Sequence, residues 1–164
     1  MMTTMTLSDA VKGWKEVKKI GGYCPCCDRW GKIYQIKISE TMARSLLWMV
    51  KNHGTNWIDM PSKAPRWVTR SNSFGKLQYW GLVSAMPIEN HIDDGQEVKS
   101  SGYWMVTQSG LQFAKGMTRV PKYMYVYNNM VEGTSDKDIV LSDCIGKKFN
   151  YAELMQATWG DEWN

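Results

Sequence analysis

The sequence predicts an α+β fold, and three stretches predict it. Residues 39–53 carry Met42, Ala43, Leu46, Leu47, Met49 and Val50 at helical spacing, with Ser39 or Thr41 placed to cap the start and Gly54 placed to stop the end. Residues 71–83 read as a second strong helix, in which Phe74, Leu77 and Gly81 share one face and Asn72, Lys76 and Tyr79 the opposite one. Residues 82–88 and 102–107 are extended runs flanking the turn signal Asp93-Asp94-Gly95, so they read as a β-hairpin. The chain has 164 residues, 43% of them hydrophobic and 22% charged. That length suits one domain with small appendages, and that composition can build a core, which argues against disorder.

The remaining elements follow in order. Residues 9–20 place Val11, Trp14, Val17 (or Lys18) and Ile20 near helical spacing, giving a short basic helix capped by Asp9 or Ser8 and ended by Gly21-Gly22. The cysteine cluster Cys24-Pro25-Cys26-Cys27 comes next, and then a β-former run over 32–38. Residues 57–60 suit a short strand and 66–69 one helical turn, between and after the breakers Pro61 and Pro65. Thr107 can cap a short helix running to Gly116. Residues 120–127 alternate as a strand, Asn128-Asn129 suits a two-residue turn, and 130–132 return. Asn150 can cap a last helix over 151–157.

Helix, short strand, helix, hairpin, short helix is the order of a winged helix-turn-helix. The expected architecture is therefore α+β: a winged helix-turn-helix core over 39–118, an N-terminal helix, cysteine knuckle and strand over 1–38, and a C-terminal β-hairpin plus helix over 119–164 packed on the same core. Two segments carry a resemblance to that fold. Ser101-Gly102-Tyr103-Trp104-Met105-Val106-Thr107-Gln108-Ser109-Gly110 resembles the wing strand and following helix that close many winged-helix domains. Phe74-Gly75-Lys76-Leu77-Gln78-Tyr79-Trp80-Gly81-Leu82 resembles a recognition helix leading into the wing. Over about residues 23–155 the chain also resembles a group of uncharacterised small proteins of bacteriophages and related mobile elements, with a winged helix-turn-helix and an N-terminal Cys-x-x-Cys knuckle. The matching features are Cys-Pro-x-Cys, "Met-Ala-Arg-Ser-Leu-Leu-Trp", "Lys-Leu-Gln-Tyr-Trp-Gly-Leu" and "Val-Pro-Lys-Tyr-Met-Tyr-Val-Tyr-Asn". This resemblance implies a fold and no agreed activity.

Charge is unevenly spread. The formal net charge is +4, yet residues 1–82 hold 13 Lys/Arg against 5 Asp/Glu, and residues 83–164 hold 7 against 11. Met60 to Ile88 contains Lys63, Arg66, Arg70 and Lys76 and no acid, and Val98 to Val131 contains Lys99, Lys115, Arg119 and Lys122 and no acid. Basic stretches of this kind suit an anionic partner. If the partner is double-stranded DNA, the contacts expected are Arg66, Arg70, Asn72, Ser73, Lys76 and Tyr79 around the second helix, with Lys115, Arg119 and Lys122 on phosphates. The hairpin tip is instead acidic, with Glu89, Asp93, Asp94 and Glu97. Carboxylates there repel phosphate, so the competing expectation is a module that docks on a host protein through this loop.

Cys24 and Cys27 have the spacing of a zinc knuckle, and a Zn2+ site there needs further ligands, for which Cys26, Cys144, His53 and His91 are the remaining Cys and His donors. The unmetallated alternative is reduced thiols in a tight turn. The 9 Trp and 12 Met serve packing first, and some can serve an adaptable contact surface. No stretch approaches the roughly 20 apolar residues of a membrane span, and no signal-peptide pattern opens the chain. The expectation is a cytoplasmic protein with no membrane partner. No phosphate loop, nucleophile elbow or metalloprotease motif is present, so catalysis is not expected. A dimer is compatible with the sequence, with 9–20 or 151–157 as the segments suited to it.

Overall fold

The computed structural model describes residues 6–87 and 101–145. The chain begins with α1 (Leu7–Ile20), β1 (Gly22–Tyr23), β2 (Trp30–Gly31) and β3 (Tyr34–Lys37). It continues through α2 (Glu40–His53), β4 (Ile58–Asp59), α3 (Met60–Lys63), α4 (Arg66–Thr69) and a 3₁₀ helix (Ser73–Trp80). Then come β5 (Val83–Ala85), β6 (Tyr103–Val106), α5 (Gln108–Ala114), β7 (Val120–Pro121), β8 (Tyr123–Tyr127), β9 (Met130–Thr134), β10 (Asp138–Ile139) and α6 (Leu141–Ile145). The fold is mixed α+β with several small sheets. It divides into two compact units, the first from residues 1–37 and 123–135, the second from 38–122 and 136–164.

In the first unit β3, β8 and β9 form an antiparallel sheet with β8 in the middle. The β8–β9 turn is Asn128-Asn129, both at positive φ (50° and 63°), as a two-residue hairpin of matching twist requires. Helix α1 begins two residues earlier than its apolar spacing suggests, at Leu7. Thr6, rather than Asp9 or Ser8, is the cap: its hydroxyl accepts from the Asp9 N–H and donates to the Asp9 carboxylate. Trp14 meets Tyr127 edge to face, and Lys18 pairs with Glu132 at 2.6 Å.

The second unit is built around α2. Ser39 caps it and Gly54 ends it at positive φ, as expected. Its whole apolar stripe is buried, together with Ser45 and Trp48. A helix buried this far round is covered on several sides, here by the 3₁₀ helix, α5, α6 and β6. Ser45 is satisfied within the helix, donating to the Thr41 carbonyl at 2.7 Å. Strands β4, β6 and β5 form an antiparallel sheet in that order, β6 central. Thr107 caps α5 and also donates to the Gly81 carbonyl at 2.5 Å, locking the end of the β6 strand to the end of the 3₁₀ helix.

Several elements differ from the sequence reading. The stretch 71–83 is not an α-helix but a 3₁₀ helix confined to Ser73–Trp80. Its large apolar residues, Phe74, Leu77 and Trp80, recur strictly every third position and all three are buried. That is the 3₁₀ period, in which residues three apart eclipse. Trp80 takes the inward place expected for Gly81, which is exposed and left-handed at φ 72°. The run 120–127 is two strands: β7 pairs with β10 and β8 with β3, so the chain changes partner at Lys122. Helix α5 stops at Ala114, short of Gly116. Helix α6 had no anticipated counterpart. The hairpin tip with Glu89, Asp93, Asp94 and Glu97, and the 151–157 segment, lie outside the described residues.

Candidate nucleic-acid interface

The basic segment of the second unit is built by two successive short helical pieces. Pro65 fixes the start of α4, so Arg66 and Arg70 stand one turn apart, with the Arg70 N–H donating to the Arg66 carbonyl at 2.8 Å. Both arginines are exposed, while Val68 between them is buried and anchors the turn. Asn72 then adopts left-handed backbone (φ 54°), a conformation Asn tolerates, and redirects the chain into the 3₁₀ helix.

With three residues per turn the 3₁₀ helix presents three rows. Phe74, Leu77 and Trp80 face the core. Ser73, Lys76 and Tyr79 form a second row, with Lys76 exposed and the other two half-buried. Gly75, Gln78 and Gly81 form a third, and Gln78 is exposed. Asn72 precedes the helix and does not share a face with Lys76 and Tyr79. Gln78 is an outward polar group that an α-helical projection does not single out. Its signal was the same every-third-residue apolar spacing. The inward row is fixed by Phe74 against Trp104, ring centroids 5.4 Å apart, and by Trp80, whose indole N–H donates to the Pro121 carbonyl at 2.9 Å.

That last bond brings the end of the 3₁₀ helix to the 119–122 segment. Arg119 is exposed, and Lys122 is half-buried with its backbone N–H donating to the Lys137 carbonyl. Eight residues of 3₁₀ helix rise about 16 Å. Arg70 and Asn72 thus stand at one end of the helix and the Arg119–Lys122 segment at the other. Lys115 is exposed at the end of α5. Arg66, Arg70 and Lys76 make no ion pair with any described residue. Their charge is available to a partner, in keeping with the acid-free sequence around them.

The cysteine cluster lies in the first unit, at the tip of the β1–β2 hairpin. The Cys24 N–H donates to the Arg29 carbonyl and the Asp28 N–H to the Cys24 carbonyl, both at 2.8 Å, with Asp28 left-handed at φ 59°. The Cys26 N–H approaches the Cys24 sulfur at 3.4 Å. That N–H, and then the Cys27 N–H, hold the Cys24 thiol below the ordinary thiol range. Cys24 is half-buried, Cys26 and Cys27 are exposed, and all are free thiols. No group of three or more His, Cys, Asp or Glu gathers around a common point among the described residues. Cys24 and Cys27 open onto a cleft of about 400 Å³ walled by Trp14, Trp30, Tyr34 and Tyr127 and carrying Arg29 and Lys32. The individual aromatic residues were visible in the sequence, but the hairpin pairing that gathers them was not. Cys144, by contrast, has its thiol pushed up to about 11 by burial and by neighbouring Asp143.

No helix among the described residues is long and apolar enough to cross a membrane. No family model, no curated protein and no solved structure matches the chain.

Proposed function

We propose that the second unit is a winged helix that binds double-stranded DNA, serving as a regulator or accessory factor of a phage or mobile element. One observation carries this reading: Arg66, Arg70 and Lys76 stand outward on consecutive helical pieces with no described acid paired to them. The strand order supports it. A strand before the helical pieces pairs with the second strand of the hairpin that follows them, giving the β4-β6-β5 sheet, which is the strand order of a winged helix.

In this reading Ser73, Lys76 and Gln78 face the major groove, Arg66 and Arg70 meet phosphates on one side, and Arg119 meets them on the other. The span of about 16 Å between the two ends of the 3₁₀ helix exceeds the roughly 12 Å width of the groove, so its ends can reach both walls. A 3₁₀ helix is narrower than an α-helix and presents only one residue per turn in each row. Base discrimination therefore rests on few side chains, and most of the affinity comes from phosphates.

The test is fluorescence anisotropy with labelled duplex, comparing the native chain with Arg70→Ala/Lys76→Ala. Binding that the double variant loses supports the reading. No binding by the native chain at low salt overturns it and leaves the acidic 89–97 loop on a host protein as the route to pursue.

A further inference from the structure

We infer that Cys24 and Cys27 are half of a tetrathiolate zinc site that a second copy of this chain completes. The site lies in the first unit and does not depend on how the second unit is read.

The geometry is that of a metal knuckle. Two thiols three positions apart sit on a turn closed by Cys24 N–H to Arg29 carbonyl and Asp28 N–H to Cys24 carbonyl bonds of 2.8 Å. The Cys26 N–H points at the Cys24 sulfur, which leaves the remaining sulfur lone pairs for a metal. The turn stands on a firm base. A Cβ on Gly22 would lie 2.3 Å from Val17, and one on Gly31 would lie 2.6 Å from the Trp14 ring. The base of the hairpin is therefore pressed flush on α1, so the backbone that carries the turn is held before any metal arrives, which lowers the ordering cost of binding.

Two ligands do not satisfy structural zinc, which takes four. No group of three or more His, Cys, Asp or Glu that could hold a metal forms among the described residues. A second copy supplies two more thiolates through a two-fold axis, the commonest symmetry of soluble oligomers. Two features of the surroundings fit that occupant. Four thiolates on Zn2+ leave a net double negative charge, and each copy brings Arg29 and Lys32 in the cleft that the thiols line. Beside the thiols, Tyr23 is 63% and Trp30 56% exposed. They lie edge to face at 5.3 Å, an apolar pair that a facing copy would cover.

The experiment uses the full chain, reduced, loaded with Zn2+ and freed of excess. Bound metal per chain and molar mass in solution are measured together. Co2+ loading adds an independent readout through its sulfur-to-cobalt absorption. The expected result is one zinc per two chains at twice the mass of one chain, with the mass halving on chelation. Cys24→Ser and Cys27→Ser lose both metal and dimer, and Cys26→Ser keeps both. A native chain that retains no zinc and gives no cobalt–thiolate band overturns the inference. So does one zinc per single chain, and so does a dimer indifferent to chelation. The cobalt spectrum and the chelation step are read on the native chain, so the inference stays open to refutation if a Cys24→Ser chain fails to fold.

Discussion

Replacing Gly110 by alanine probes the join between α5 and the rest of the second unit. A Cβ at Gly110 would lie 2.0 Å from the Leu82 carbonyl oxygen and 2.8 Å from Val106 Cγ1. Relief needs a shift of more than an ångström, and the obstacle is backbone. That same Leu82 carbonyl accepts the Thr107 N–H at 3.0 Å, so moving it endangers the bond that aligns the start of α5. Moving α5 instead loosens Phe113 and Ala114, both fully buried against α2. Overpacking of this kind costs roughly 1–3 kcal/mol, with the upper end expected against backbone, and a lost hydrogen bond adds about 1 kcal/mol. Alanine returns at most about 1 kcal/mol through its better helix propensity. The net is a destabilisation of about 3 kcal/mol, or roughly 6–12 °C in Tm for a chain of this size. Thermal unfolding followed by circular dichroism measures it, with exposed neighbour Ser109→Ala as a control expected to change little. The sign decides: an unchanged or raised Tm for Gly110→Ala would mean that propensity outweighs contact and that α5 does not meet Leu82 as closely as described.

Four further outcomes follow from named residues. Thr107→Val removes both the α5 cap and the bond to the Gly81 carbonyl and should cost about 1–2 kcal/mol in urea unfolding, whereas Thr107→Ser should retain most of it. Asn128→Ala places a residue less tolerant of positive φ in the β8–β9 turn and should cost on the order of 1 kcal/mol by the same assay. As pH rises past the ordinary thiol value, the unfolded chain releases the Cys144 proton while the folded chain keeps it until about 11. The unfolded state then binds fewer protons, so stability should fall across that interval and not below it, and Cys144→Ala should flatten the fall. A thiol reagent at neutral pH should label Cys144 more slowly than exposed Cys26 and Cys27.

Much of the second unit was legible because its signals are local. The α2 stripe, the Ser39 and Thr107 caps and Gly54 each act within one or two turns of chain. A projection at 100° per residue groups Phe74 and Leu77 with Gly81, whereas at 120° Phe74, Leu77 and Trp80 coincide, so the α-helical period hides the 3₁₀ helix. The break at Lys122 was not legible, since β7 and β8 differ only in partners found far along the chain, at β10 and β3. The same non-locality hid the cleft beside the cysteines. Its walls come from α1, the β1–β2 hairpin, β3 and the end of β8, and no periodicity joins residues 14, 30, 34 and 127. Basic residues and knuckle cysteines were readable as types. The structure adds the short helical pieces that carry Arg66, Arg70 and Lys76 and the hairpin that carries the cysteines.

The salt dependence of DNA binding tests the central claim most directly. Each phosphate neutralised contributes about −0.9 to the slope of log K against log salt concentration. Arg66, Arg70 and Arg119 on phosphates together predict a slope of roughly −3 for the native chain. Arg70→Ala/Lys76→Ala should bring the slope about 1 closer to zero, through the phosphate contact of Arg70, and weaken binding at every salt concentration. A slope near zero, or the same slope in native and double variant, would contradict the account and remove the 3₁₀ helix from any DNA interface.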